Sequence, residues 1–150
     1  MKTAELTGAL LDYWVARASP QFSDVTFEKR EDCIACLADI DGEKFVAAFI
    51  HGGNVLATMR LKRKYQHAIC FGPSSDWAQG GQIIERERMK VEPLRDGAWT
   101  ASARDGNHQI VGALGPTPLV AAMRAFVVSK FGDAVPDDEA ATRAAAQGGA

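Results

Sequence analysis

The residues best equipped for chemistry gather in one stretch, 71–88, which reads Phe71-Gly-Pro-Ser-Ser-Asp-Trp-Ala-Gln-Gly-Gly-Gln-Ile-Ile-Glu-Arg-Glu-Arg. Ser74 and Ser75 bring hydroxyls, Asp76 a carboxylate, Trp77 an indole and Gln79 an amide. Gly80 and Gly81 free the backbone to approach a neighbour closely. An indole in a polar loop has two uses: a stacking platform for a flat ligand, or a plug that closes the end of a small core. Residues 83–91 read as a strand with charges on both faces. Such a strand cannot turn all of Glu85, Arg86, Glu87 and Arg88 to water from a sheet covered on one side. Some are therefore paired, or Arg86 or Arg88 faces an anion. Downstream, Gly115 and Thr117 open a helix whose free N–H groups and dipole attract negative charge, although an ordinary helix start needs no ligand. The expected ligand-binding set is thus Ser74, Ser75, Asp76, Trp77, Gln79, Arg86, Arg88, Gly115 and Thr117.

Other constellations carry less. Cys33 and Cys36 have the two-cysteine redox spacing, but they lie in a strand-like apolar run, where positions three apart face opposite ways. They read as small buried hydrophobes. His51, His67 and His108 show no short ligand spacing, so no metal and no cofactor are expected. Ser74, Ser75 and Ser102 lack the strand–turn–helix elbow of a hydrolase, and no catalytic residue is assigned. The basic run Arg60 to Lys64 reads as a solvated strand end or a local anion patch. With 17 basic and 19 acidic residues and a net charge of −2, a general grip on nucleic acid is disfavoured. No apolar run approaches the ~18 residues of a membrane span, and the three cysteines lack a disulfide framework, so a cytoplasmic protein is expected.

The elements that would position these residues follow from periodicity and punctuation. Residues 3–18 read as a helix with Thr3 as cap, ended by Ser19-Pro20, and Gly8 inside it suggests a close backbone neighbour. Strand patterns start at Val25 and Cys33, and Asp41-Gly42 turns into a return strand. Further strands are expected at 55–61, 99–104 and 109–113, and 67–71 is a short apolar stretch. Thr117 caps a second helix to Phe131, with Pro118 at its first position and Gly132 beyond its end. The fold class is α+β: one mainly antiparallel sheet of five to seven strands, with the N-terminal and C-terminal helices packed on one face. Residues 1–132 form a single domain, and 133–150 an acidic and then Ala/Gly-rich tail that frays.

Three stretches then carry a resemblance: Glu5-Leu-Thr-Gly-Ala-Leu-Leu-Asp-Tyr-Trp-Val-Ala, Pro73-Ser-Ser-Asp-Trp-Ala-Gln-Gly-Gly-Gln-Ile-Ile-Glu-Arg-Glu, and Gly115-Pro-Thr-Pro-Leu-Val-Ala-Ala-Met-Arg-Ala-Phe-Val-Val-Ser-Lys-Phe-Gly. In this order they resemble the NinX-like family of phage and prophage proteins, a family without an assigned reaction. The resemblance implies a small accessory protein of a double-stranded DNA phage. Residues 24–69 read as longer than the family pattern. The expected function is non-enzymatic binding of a small anionic or nucleotide-like ligand, in the service of counter-defence. The alternative is a protein–protein module acting on a host or phage complex, with Trp77 as its anchor. Self-association is left open. The first helix, residues 74–88 and the start of the last helix are expected to converge.

Overall fold

The computed structural model describes residues 1–30, 33–51 and 69–137. They fall into two compact units, one comprising Met1–Thr7 and Gly72–Asp137, the other Gly8–Phe71. The class is α+β and the pairing is mainly antiparallel. The single sheet expected from the hairpin signals is, however, two sheets, one in each unit. Turn chemistry marks where strands reverse, but it carries no signal for which hairpins share a sheet. The expected strand at 55–61, the basic run at 60–64 and the tail from 138 lie outside the described residues.

In the Gly8–Phe71 unit, β1 (Val25–Lys29), β2 (Cys33–Ile40), β3 (Glu43–His51) and β4 (Ile69–Cys70) lie side by side in that order. β1 and β3 flank β2 antiparallel, and the short β4 runs parallel to β3. Asp41 and Gly42, at φ 53° and 84°, make the left-handed two-residue turn that suits the twist of a hairpin. The apolar run of β2 is buried on both faces: Cys33, Ala35 and Leu37 join Phe49, while Ile34 and Cys36 point the other way. Helix α1 (Gly8–Ala18) packs on β3 and sets Tyr13 edge-on to Phe27 at 5.3 Å. The Arg17 guanidinium lies over both rings and donates to the Tyr13 hydroxyl at 2.7 Å.

The helix expected over residues 3–18 is therefore shorter. Thr3–Glu5 is a separate 3-10 turn, and α1 starts at Gly8, whose φ of 55° requires a residue free of Cβ strain. Among the described residues none crowds Gly8, and its backbone conformation accounts for the glycine. Thr3 is not a cap. It is buried, and its hydroxyl donates to the Gly132 carbonyl at 2.8 Å.

In the other unit, β5 (Lys90–Pro93), β6 (Trp99–Arg104) and β7 (Ile110–Gly115) form an antiparallel meander. Helix α3 (Pro118–Phe131) lies on it, with Thr117 as N-cap and Gly132 at φ 85°, as its punctuation predicts. Leu119, Ala121, Ala122, Met123, Ala125, Phe126 and Val127 are all buried, so α3 is enclosed on more than one side. The sheet covers one side, a second helix another, and the turn at Thr3–Glu5 also contacts α3. Small residues let sheet and helix meet closely: a Cβ on Gly115 would run into the Ala121 backbone.

Candidate functional site

The second helix is α2 (Trp77–Arg86), which takes up the polar loop and the first four residues of the strand expected over 83–91, whose last two residues begin β5. Its N-terminus is built from local hydrogen bonds. Asp76 is the N-cap, and its carboxylate accepts from Ala78 N at 2.9 Å. The Gly72 carbonyl accepts from the N–H groups of Ser75 and Asp76 at 3.1 and 2.9 Å, and Gly72 N donates to the Gln79 side-chain oxygen at 2.8 Å. The Ser75 hydroxyl also donates to Gly72 O, and Ser74 is buried. The loop from Gly72 to Gln79 is thus closed on itself, and it fixes the direction of α2.

Gly80 explains how this helix docks. A Cβ there would collide with the Pro73 carbonyl and the Leu119 side chain, so only glycine lets α2 sit against the first turn of α3. Gly81 has open space around its missing Cβ and plays no such part. Residues 74–88 and the start of α3 therefore do come together, as expected, while α1 belongs to the other unit.

The helix also resolves the puzzle of the charged run. Around a helix, Glu85 and Arg86 face solvent while Ile83 is buried, so no charge is forced inward. Arg86 pairs with its neighbour Glu87 at 3.2 Å and lies 5.7 Å from the centre of the Phe126 ring. Arg88, just beyond the helix, is exposed and holds a left-handed φ of 52°.

Trp77 is 58% exposed, which removes the reading of it as a core plug. The indole stands on the first turn of α2, carried by a closed loop and a locked helix. Several of the groups expected to hold an anion beside it are bonded within the chain. At α3, Pro118 has no N–H, the Thr117 hydroxyl accepts from Val120 N at 3.1 Å, and Ala121 N is taken by the Thr117 carbonyl. At α2, the Asp76 carboxylate occupies the place where an anion would sit. Gly115 is explained by its packing on Ala121.

Sequence reasoning missed a cleft of about 350 Å³ between the turn at Asp105–Asn107 and the end of α3, lined among others by Val111, Ser129, Lys130 and Asp133. Its walls come from segments some twenty residues apart with no shared motif, so nothing local announces it. It also missed Arg124, which donates to the carbonyls of Leu6 and Leu114 at 2.8 and 2.9 Å. Burial lowers the pKa of this guanidinium.

The Cys33–Cys36 pair is buried, and desolvation, with Cys33 nearby, pushes the Cys36 thiol up to about 12. Among the described residues no three His, Cys, Asp or Glu side chains are grouped to hold a metal, and no helix is long and apolar enough to cross a membrane. The family model described as Bacteriophage P22, NinX, matches residues 2–130 of the chain. No curated protein matches the chain.

Proposed function

Because this chain belongs to the NinX phage family, we propose that it is an accessory protein that works by docking a phage or host protein, with Trp77 as the anchor. The exposed indole on a locked helix start carries this reading. Aromatic anchors contribute most where they are held rigidly, because little side-chain entropy is lost on binding. The neighbouring polar groups support the same choice. Asp76, Gln79 and Thr117 serve as caps and turn braces, and their hydrogen-bonding oxygens are engaged within the chain.

A nucleotide-like ligand stacked on Trp77 would need a cation within its own length. Arg86, the cation on α2, stands nine residues further on, roughly 13 Å away at a helical rise, and is paired with Glu87. That separation favours an extended protein surface over a small anion.

The test is affinity capture from phage-infected cells with wild type and Trp77→Ala. One stoichiometric partner retained by wild type and lost by the variant supports docking. A parallel thermal-shift screen with nucleotides and cyclic dinucleotides addresses the small-ligand reading, since a specific ligand raises the melting temperature by mass action. A shift that vanishes in Trp77→Ala, with no captured partner, would replace the docking proposal with the ligand one.

A further inference from the structure

The cleft of about 350 Å³ at the end of α3 has a chemically mixed lining. Val111 of β7 and Val128 of α3, both half-buried, give it an apolar wall. Gly106 and Gly132 also line it, and neither has an atom near its missing Cβ, so no side chain from those positions fills the space. A cleft of this volume falls at the small end of the range of small-molecule sites.

Its charges select the ligand. Asp105, Lys130 and Asp133 all line the cleft, and none of the three forms an ion pair among the described residues, although both signs are present. Asp105 uses Oδ1 to accept from the N–H groups of Asn107 and Gln109 at 2.8 and 2.9 Å, and its Oδ2 makes no hydrogen bond among the described residues. The Lys130 ammonium stands 5.6 Å from the centre of the Phe126 ring. The last carbonyls of α3 add the partial negative charge of a helix C-terminus. Two carboxylates and a helix end therefore stand against one ammonium. The complementary ligand carries two positive groups and one negative group.

We propose that this cleft binds a free basic amino acid of the arginine or lysine type. The α-ammonium and the side-chain cation answer the two carboxylates, the ligand carboxylate answers Lys130, and the methylene stem lies on the valine wall. A neutral amino acid leaves one carboxylate unanswered. An arginine on the surface of another protein offers Lys130 no carboxylate, which is why the free amino acid is the better fit.

Titration of the ¹⁵N-labelled full chain with L-arginine, read by amide chemical shifts, tests this. Saturable shifts are expected at residues 105–107, 111 and 128–133. Agmatine, which lacks the carboxylate, and L-leucine, which lacks the second cation, should each bind about tenfold more weakly or worse, the worth of one charge-assisted bond. Asp133→Asn removes an exposed charge and keeps the backbone carbonyl that accepts from Thr3 N, so the fold is retained while arginine binding weakens by about tenfold or more. Lys130→Met should weaken arginine and leave agmatine unchanged. An absence of saturable shifts, shifts centred elsewhere, agmatine bound as tightly as arginine, or a folded Asp133→Asn variant with wild-type affinity would each overturn the proposal.

Discussion

Arg124 gives the sharpest test of how the Gly72–Asp137 unit holds the first residues of the chain. Its Nε donates to the Leu6 carbonyl at 2.8 Å and one terminal nitrogen to the Leu114 carbonyl at 2.9 Å, so one planar fork ties α3 to both the N-terminal segment and the end of β7. Leu6 itself is fully buried. Arg124→Met keeps much of the stem and removes both donors. Hydrogen bonds from a charged donor contribute about 1.5–3 kcal/mol each. The Leu114 bond is exposed, so water replaces part of it, and the half-buried guanidinium recovers some solvation in the unfolded chain. The expected net loss is therefore about 2–4 kcal/mol, and Arg124→Lys, which can serve one carbonyl but not both, loses about half as much. Urea unfolding measures the total. Hydrogen exchange of residues 1–7 and 110–117 locates it, because the loss should appear first as local opening of the N-terminal segment. A change below about 0.5 kcal/mol for Arg124→Met, the size of an ordinary surface substitution, would refute the reasoning.

Other substitutions separate packing from conformation. Gly80→Ala forces a methyl group into the Pro73 carbonyl and Leu119, and should cost about 1–3 kcal/mol in thermal unfolding, whereas Gly81→Ala, with open space, should be neutral or stabilising. Arg88→Gly relieves a left-handed residue and should raise stability by about 0.5–1 kcal/mol, measured by the same melt. Cys36 predicts a pH effect. Its thiol keeps its proton in the folded chain up to about 12 but loses it near 9.0 once unfolded. Stability should be indifferent to this group below 9.0 and fall as the pH rises from there towards 12, because the native state then binds the extra proton. At pH 8 a thiol reagent should leave Cys36 untouched until denaturant is added. Rapid native-state labelling would contradict its burial.

Local signals carried much of the fold. Asp41-Gly42 and the Thr117-Pro118 to Gly132 punctuation specify backbone conformations that few other residues adopt cheaply, so the hairpin and α3 are legible without tertiary information. The misreadings share one cause. At 77–86 two adjacent glycines depress helix propensity, and the pattern of Ile83, Ile84 and alternating charges imitates a strand. The glycine at 80 has a reason that lies partly outside any local window: a side chain there would meet the Pro73 carbonyl and also Leu119, thirty-nine positions away in sequence. The division into two sheets was hidden for the same reason, since hairpin turns encode nearest-neighbour pairing and nothing beyond it.

The site was legible as a location more than as a chemistry. Ser75, Asp76, Gln79 and Thr117 were read as candidate ligand contacts because polar side chains at a helix start can bind anions or cap the helix, and the two uses draw on the same residue types. In this chain those side chains bond to Gly72, Ala78 and Val120. Trp77 is the exception. It makes no demand on the loop that carries it, and its exposure leaves the surrounding bonds intact. A side chain of that size left 58% exposed gains much less for folding from its apolar area than a buried one would. If Trp77→Ala leaves the unfolding free energy within about 0.5 kcal/mol of wild type, where a buried tryptophan would cost about 3–5 kcal/mol, the indole is free of any structural duty. The capped loop, the Gly80 notch and the α3 contact then stand independently of the indole that they carry.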